Sequence, residues 1–148
     1  MTDRPPDLHA RMDPLAEMAA LVPAMKASRR RATDFWFLAS PYSKYPHGIE
    51  AAFNLAVQAR GMLLKAKVPV FSPIIHSHPV AVGCGLDPFD HDIWLPSELP
   101  ILHLAYGMIQ LRAEGWQDSK GMAYEEMQFR MTGRPIVPMT PGIVPDLP

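Results

Sequence analysis

Apolar runs alternate with segments of helical spacing along most of this chain. The run 35–39 is continuous and rich in aromatic residues, as expected of a strand buried on both faces of a parallel sheet. Shorter apolar runs predict strands at 68–71, 108–111 and 135–139. Prolines in the last of these runs place it at a sheet edge, because proline cannot donate to a strand ladder.

Helices are predicted between these strands. Apolar residues recur at helical spacing after the first strand, at Ile49, Ala52, Phe53, Ala56, Val57, Leu63 and Leu64. A second helix is predicted to start at a Ser97 cap, to carry Pro100 in its first turn and to end before Gly107. A third runs from Ser119 to Met131 and stops at Gly133. The segment 72–95 is rich in Pro, Gly, His and Asp and predicts a long loop.

This alternation predicts an α/β fold, a three-layer sandwich around a mainly parallel, flavodoxin- or Rossmann-like sheet of about five strands. We expect one domain at 34–139, since 148 residues suffice for a single core. Residues 1–33 form an N-terminal extension, with a short amphipathic helix predicted at 14–26. Residues 140–148 form a proline-rich tail.

Composition excludes several functional classes. A formal net charge of −1 and the lack of a basic stripe argue against nucleic acid as the main partner. The single cysteine, Cys84, cannot form an intramolecular disulfide, and no secretory or membrane segment is recognisable. We therefore expect a cytoplasmic protein, and composition leaves small-molecule chemistry open.

One carboxylate on the predicted third helix needs an explanation. Residues three and four apart share a helix face, so Glu125 lies with Met122 and Phe129 on an apolar stripe. Its neighbour Glu126 has Arg130 four residues on, a spacing that predicts an ordinary solvated ion pair. A carboxylate beside apolar surface costs free energy unless it is hydrogen-bonded or functional. Glu125 is therefore a candidate site residue. The alternative is that it lies at the solvent-exposed margin of the apolar stripe.

Two loops converge with this carboxylate. In open parallel sheets, ligands bind beyond the carboxyl ends of the strands. Both the 40–43 loop and the 115–119 loop are predicted at that edge, with the N-terminal half of the helix that carries Glu125. The hydroxyls of Ser40, Ser43 and Ser119 stand at loop-to-helix transitions, where they either cap helices or face an anion.

Three motifs together resemble the nucleoside 2-deoxyribosyltransferase-like superfamily. They are Phe37-Leu38-Ala39-Ser40-Pro41-Tyr42-Ser43, Phe71-Ser72-Pro73-Ile74-Ile75-His76-Ser77-His78-Pro79, and Gly115-Trp116 with Ser119-Lys120-Gly121-Met122-Ala123-Tyr124-Glu125. The resemblance covers residues 35–139 and is strongest to a branch of small bacterial and phage domains with an Ala-Ser-Pro-Tyr loop. Each motif is weak alone, whereas their order and spacing are fairly specific.

The resemblance implies an N-glycosidic reaction on a nucleoside or nucleoside 5′-monophosphate. The superfamily pattern Ser-x-Gly-x-x-x-Glu matches Ser119, Gly121 and Glu125 and makes Glu125 the nucleophile. An acidic residue on the preceding helix assists the leaving base, and Glu98 matches it where the family normally has Asp. Trp36 stands where the family tends to have an aromatic hydroxyl, and Tyr106 stands where the family often has an Asp. Homo-oligomers follow from the resemblance, because related sites borrow residues from a neighbouring subunit.

The implied chemistry suits these residues. Cleavage at an anomeric carbon passes through an oxocarbenium-like state, which a carboxylate captures as a covalent glycosyl intermediate. Water as the second acceptor makes the enzyme a hydrolase, and another base makes it a transferase. Glu98 needs a raised pKa to protonate the base, whereas Glu125 must be ionised; the alternative for Glu98 is a first-turn carboxylate stabilised by the helix dipole. The predicted substrate-binding residues are Ser40, Pro41, Tyr42, Ser43, His76, His78, Trp36, Ser119 and Gly121, although Trp36 inside an apolar strand also suits a core position.

Other interpretations stay open. His76 and His78, with Asp90, His91 and Asp92 downstream, offer loosely spaced metal ligands, but we predict neither a metal nor a cofactor. Cys84 has no motif that pairs it with a base. A non-catalytic nucleotide-binding or sensing module on the same fold is the main alternative function. Phosphoribohydrolases that activate cytokinins also use a catalytic Glu, but this chain lacks their Gly-x-Gly-Thr phosphate loop.

Overall fold

A computed structural model describes residues 33–148 of the chain. Its sheet has four parallel strands in the order β2-β1-β3-β4. The strands are β1 Trp36–Ala39, β2 Val70–Phe71, β3 Gly107–Leu111 and β4 Ile136–Met139. The helices are α1 Ile49–Lys65, α2 Pro73–Cys84, α3 His91–Leu104 and α4 Lys120–Met131, and a short 3₁₀ helix at Trp116–Asp118 precedes α4. The predicted α/β class is therefore confirmed, with four strands where about five were expected.

β1 is the structural centre of the sheet. It pairs with β2 on one side and with β3 on the other, and all four of its residues are buried. Continuous burial is what the uninterrupted apolar run predicted, because both sheet faces are covered. The edge position predicted for the proline-containing last strand is also confirmed, since β4 pairs only with β3.

Two apolar clusters cover the two faces of the sheet, as a three-layer sandwich requires. On the first face, Ala59 and Leu63 of α1 pack in a cluster with Leu38 of β1. On the second face, α3 and α4 pack in a cluster with Phe37 and Ala39 of β1, through Leu102, Met122 and Phe129. α3 and α4 are therefore on the same face, which is the condition for side chains on the two helices to meet.

The predicted loop at 72–95 is wrong, because a helix occupies half of it. α2 begins directly after Ser72, with Pro73 in its first turn, where a missing N–H costs nothing. Pro79 lies inside the helix and removes one backbone hydrogen bond. Its side chain is exposed, so water can reach the carbonyl that it leaves without a partner.

The start of α3 was predicted seven residues too late. Its N-cap is Asp90, whose carboxylate accepts from the Asp92 amide at 3.0 Å. The hydroxyl of Ser97 instead donates to the Trp94 carbonyl within the helix. Pro96 and Pro100 are both internal and both exposed, so they lie on the solvent side, where water can hydrate the freed carbonyls.

Other predictions have simpler outcomes. The helix predicted from apolar spacing after β1 is present as α1. Three of the apolar residues that predicted it, Ala52, Ala56 and Leu63, are buried, whereas Val57 and Leu64 are exposed. The amphipathic helix predicted at 14–26 lies outside the described residues. Within residues 33–148, none of the helices is both long enough and apolar enough to cross a membrane.

The start of β3 yields a stability prediction. A Cβ built on Gly107 would lie 2.6 Å from the Trp36 ring and 2.7 Å from the Pro135 carbonyl oxygen, and a backbone atom cannot yield cheaply. Gly107→Ala should therefore destabilise the protein by about 1–3 kcal/mol, the usual range for overpacking. The measurement is the free energy of unfolding in urea.

Gly61→Ala is the matched control, because Gly61 lies inside α1 with no heavy atom near the position of its Cβ. This variant should be more stable than the parent by roughly 0.5–1 kcal/mol, since alanine is the better helix former. Equal effects of the two substitutions would contradict the close approach of β1, β3 and the segment before β4.

Candidate active site

The candidate site lies at the carboxyl edge of the parallel sheet. The 40–43 segment follows β1 there, Ser72 follows β2, and the turn before α4 follows β3. All strands run in the same direction, so these three connections leave from one edge. The convergence of the first and third segments, expected from the sequence, is confirmed at the level of topology.

Glu125 lies on the sheet-facing side of α4. Met122 and Phe129, three residues before it and four after it, are buried against the sheet, as the apolar stripe predicted. Glu125 itself is partly buried. No side-chain or backbone donor among residues 33–148 hydrogen-bonds to its carboxyl group. Burial, and secondarily the negative charge of Glu98, raises the pKa of Glu125 well above its ordinary value.

Glu126 has the opposite environment although it is the next residue. Its Oε1 accepts from Arg130 Nη2 at 2.6 Å and its Oε2 from Gln110 Nε2 at 2.8 Å. The hydrogen bonds from Arg130 are the main reason why the pKa of Glu126 is lowered. The predicted ion pair with Arg130 is confirmed, and the bond to the buried Gln110 attaches it to β3.

Glu98 lies in the middle of α3, as its eighth residue. The alternative of a first-turn carboxylate stabilised by the helix dipole is therefore wrong, because that effect fades within one turn. Burial raises the pKa of Glu98 to about 7. A carboxyl group with this pKa carries a proton for a substantial part of the time near neutral pH.

The two carboxyl groups form an interacting pair. α3 and α4 share the second sheet face, and Glu98 is close enough to Glu125 for its charge to raise the pKa of Glu125. Two nearby carboxyl groups do not both ionise readily, so the pair retains a proton at a pH where isolated carboxylates have none. Such a pair can deliver one proton and one negative charge to the same ligand.

The start of α4 lies beside this pair. Ser119 is buried and caps the helix, its Oγ accepting from the Met122 amide at 3.2 Å. The capping alternative for Ser119 is thus confirmed, while its own O–H remains available to a further acceptor. A Cβ on Gly121 would meet only the Ser119 hydroxyl, at 4.0 Å, so packing within the described chain does not require glycine there.

Buried hydroxyls without partners mark the ends of the first two strands. Ser40 is 5% exposed and Ser72 1% exposed, and neither Oγ has a hydrogen-bond partner in the described structure. Such groups cost free energy when they stay unpaired. Pro41 is fully buried and Ser43 is exposed, so only Ser43 of these two presents a side chain to solvent.

Tyr42 belongs to a chain of three polar side chains. Its hydroxyl lies 2.7 Å from His78 Nδ1, and His78 Nε2 lies 2.9 Å from Glu50 Oε2. His78 is buried, and its ring stacks on Phe53 with the ring centroids 4.6 Å apart. Burial, followed by the charge of Glu50, raises the pKa of the Tyr42 phenol. Both nitrogens of His78 are occupied, so it can influence a ligand only through Tyr42.

The remaining predicted site residues differ in exposure. His76 is exposed on α2, with its ring 5.9 Å from that of Phe71. Trp36 is fully buried in the cluster on the first sheet face, whereas Glu125 is on α4 over the second. The prediction that Trp36 contacts a ligand is therefore wrong, and its core alternative is right. Tyr106 packs edge-on against Trp36.

Metal coordination finds no support within residues 33–148, where no group of three or more His, Cys, Asp or Glu side chains is placed to hold an ion. Cys84 is an exposed free thiol near the end of α2. Two surface depressions contain neither Glu98 nor Glu125: one is lined by Phe35, Arg60, Val70, Phe71 and Ile101, the other by Gln110, Arg112, Arg130, Gly133, Arg134 and Ile136.

Sequence reasoning missed Ser72 and Glu50. A Ser-Pro pair after a strand is a helix-start signature, and it would have indicated that α2 begins directly after Ser72. Glu50 had no such signal, since its contact with His78 joins residues 28 positions apart.

Fold and site together define an α/β protein with an interacting pair of carboxyl groups beside the carboxyl edge of a parallel sheet. The chain belongs to the family described as a domain of unknown function, DUF1937, whose model matches residues 34–140. A comparison with curated proteins found no match.

The raised pKa of Glu98 predicts a pH-dependent gain in stability for Glu98→Gln. Below about pH 4 the carboxyl group is neutral in both folded and unfolded chains, so the substitution should change little. Between its ordinary pKa and about 7 the folded state binds more protons, and wild-type stability falls as the pH rises. Urea unfolding should show the variant more stable than wild type at pH 8 and equal at pH 4.

Glu114→Gln is the control for this experiment, because Glu114 is exposed. Its difference from wild type should stay small at both pH values. A Glu98→Gln variant that lost stability at pH 8 would show that the ionised carboxylate is favoured by a partner and would contradict its desolvation.

Proposed function

We propose that this protein cleaves the N-glycosidic bond of a nucleoside or nucleoside 5′-monophosphate, through a covalent glycosyl intermediate on Glu125. The single observation that carries the proposal is the carboxyl pair of Glu98 and Glu125, with raised pKa values and without hydrogen-bond donors to Glu125 from the described residues. The resemblance of the Ser119, Gly121 and Glu125 spacing to the deoxyribosyltransferase-like superfamily supplies the reaction class.

The first half of the reaction uses both carboxyl groups. An oxygen of the Glu125 carboxylate attacks the anomeric carbon, and the electrons of the carbon–nitrogen bond pass to the leaving base. Glu98 donates its proton to a nitrogen of that base, so the base leaves neutral. In the second half, water attacks the anomeric carbon, the bond to Glu125 breaks and the water proton returns to Glu98. With a second base in place of water, the same steps transfer the sugar.

The protonation state of the pair must change when substrate binds. In the free protein, burial favours the neutral form of both carboxyl groups. The reaction requires Glu125 to be ionised and Glu98 to be protonated. Sugar hydroxyls are donors, and donors stabilise a carboxylate and lower its pKa. A sugar bound at Glu125 therefore moves the proton of the pair towards Glu98, where the leaving base needs it.

Several polar groups suit the rest of the ligand. The hydroxyls of Ser40, Ser43 and Ser119, with the first amides of α4, suit a 5′-phosphate on the sugar. Tyr42, oriented by His78, offers its ring to a base and its oxygen to a donor on the ligand. His76 is exposed beside Phe71 and suits a contact at the site margin. These contacts leave a free nucleoside and a monophosphate both possible as substrates.

The setting of the reaction is also part of the proposal. A site completed by a second copy of the chain is what the resemblance implies. A cytoplasmic location fits the single cysteine. Nucleic acid and membranes are not proposed as partners.

A non-catalytic nucleotide sensor is the second candidate. The observation in its favour is the strongly raised pKa of Glu125, since a neutral carboxyl group binds a ligand by hydrogen bonds but is a poor nucleophile. The two functions separate on Glu125→Ala. A glycosidase loses base release, whereas a sensor releases no base in either form and keeps its ligand affinity.

The activity test is incubation with deoxynucleosides, ribonucleosides and their 5′-monophosphates, with free base measured by chromatography. Glu125→Gln should lower base release at least about a thousandfold, because the amide cannot form the glycosyl ester. Wild-type protein trapped during turnover should gain the mass of one sugar residue on Glu125. A second base added as acceptor distinguishes exchange from hydrolysis.

Glu126→Gln is the matched control on the same helix. It should retain most of the activity, provided that thermal unfolding shows it folded, since Glu126 is bonded to Gln110 and Arg130 rather than facing Glu98. Absence of base release from every substrate would refute the enzymatic proposal. A sugar adduct on Glu126 would refute the assignment of the nucleophile.

A further inference from the structure

The second surface depression, of about 440 Å³, is unusually rich in arginine. Arg112 follows β3, Arg130 is in the last turn of α4, and Arg134 precedes β4. Gln110 and Ile136 line it as well. The depression therefore lies between the C-terminal end of α4 and the strands β3 and β4. Neither carboxyl group of the candidate active site takes part in it.

A chain of hydrogen bonds fixes one wall of this depression. Arg112 Nε donates to Gln110 Oε1 at 3.0 Å, Gln110 Nε2 donates to Glu126 Oε2 at 2.8 Å, and Arg130 Nε donates to Glu126 Oε1 at 2.8 Å. Arg112 also stacks over the Trp116 ring, 4.8 Å from its centroid. Two guanidinium groups are thus held in place before any ligand arrives, which reduces the ordering cost of binding.

The third guanidinium group is anchored from the opposite side. Arg134 Nη1 donates to the carbonyls of Leu102 and Ala105, at 2.6 and 2.9 Å, and its side chain stacks over Phe129. Burial lowers the pKa of Arg134, as expected of a cation whose partners are neutral. Its Nη2 is buried and has no acceptor in the described structure. A buried donor without an acceptor costs free energy until an ion or a water molecule satisfies it.

The charges around the depression do not cancel. Three arginines contribute three positive charges, and Glu126, bonded to Arg130, contributes one negative charge, which leaves an excess of two. Arg112 and Arg134 form no ion pair with a carboxylate among residues 33–148. The Nη groups of Arg112 and Nη1 of Arg130 make no side-chain hydrogen bond there and remain available as donors.

We propose that this depression binds the dianionic phosphate group of a small phosphate monoester. A monoester carries about −1.5 to −2 charges at neutral pH, which matches the excess of two positive charges. The two Nη groups of Arg112 suit phosphate oxygens geometrically, because such a fork can donate two parallel hydrogen bonds. A carboxylate or a phosphodiester brings one negative charge and leaves one cation uncompensated. The inference is independent of the proposed reaction, since it uses neither Glu98 nor Glu125.

The test is a titration of the full-length protein with methyl phosphate, followed by NMR of the arginine Nε–Hε signals and by calorimetry. Methyl phosphate should shift the signals of Arg112 and Arg130 and bind at least about tenfold more tightly than dimethyl phosphate or acetate. Affinity should fall as the pH is lowered through the second phosphate pKa, near 6, because the monoester loses one charge.

Two variants assign the site. Arg112→Gln removes an exposed guanidinium that caps no helix, and it should weaken methyl phosphate binding about tenfold or more. Lys65→Gln removes an exposed positive charge at the end of α1, on the other sheet face, and should leave the affinity unchanged. Thermal unfolding of both variants checks that each is folded.

Three outcomes would overturn the proposal. One is absence of binding at millimolar methyl phosphate, and another is binding that Arg112→Gln does not weaken, which would locate the ligand elsewhere. The third is tighter binding of a short single-stranded oligonucleotide than of methyl phosphate, with strong salt dependence, which would identify a polyanion surface instead.

Discussion

The packing of α4 against the sheet is the interaction on which the candidate site depends. Met122 and Phe129 are buried with Phe37 and Ala39 of β1, and this contact fixes the rotation of the helix about its axis. Because residues three and four apart share a helix face, the same rotation turns Glu125 inwards. The position of the proposed nucleophile therefore follows from hydrophobic burial and needs no polar contact of its own.

The same burial determines the protonation of the two carboxyl groups, because it raises the pKa of both. A carboxyl group that is pulled towards an apolar cluster without hydrogen-bond donors favours its neutral form. Placing Glu98 on the adjacent helix over the same face adds a second acid, and the charge of each opposes ionisation of the other. Substrate binding can redistribute the single proton that such a pair retains, because a donor-rich ligand changes the environment of one carboxyl group more than that of the other.

Local patterns in the sequence predicted local features well. The Ser119 cap, the apolar stripe of α4 and the ion pair of Glu126 with Arg130 depend on residues within one or two helical turns, and all three are present. The buried strand β1 also follows from its own composition. Proline misled the prediction of α2 and α3, because its cost is small where the freed carbonyl faces water, and sequence alone does not reveal that side of a helix.

Features that depend on tertiary contacts had no local signal. The contact of Tyr42 with His78 joins residues 36 positions apart, and the pKa of Glu98 is raised by burial, which depends on how α3 packs in the folded chain. Trp36 illustrates the same limit, since which sheet face a strand residue occupies relative to the site is decided by where the helices pack.

The contrast between Glu125 and Glu126 shows how one helix can serve two kinds of chemistry. Adjacent residues on a helix are about 100° apart, so the carboxyl group of Glu125 meets Glu98 of α3, whereas that of Glu126 meets Gln110 and Arg130. Donors satisfy both oxygens of Glu126, which stays ionised and organises the neighbouring arginines. Glu125 has no such donors from the described chain, so its hydrogen-bonding capacity remains for a ligand. A single step along the chain thus separates a carboxylate that is held by hydrogen bonds within the protein from one whose oxygens remain without donors from the described residues.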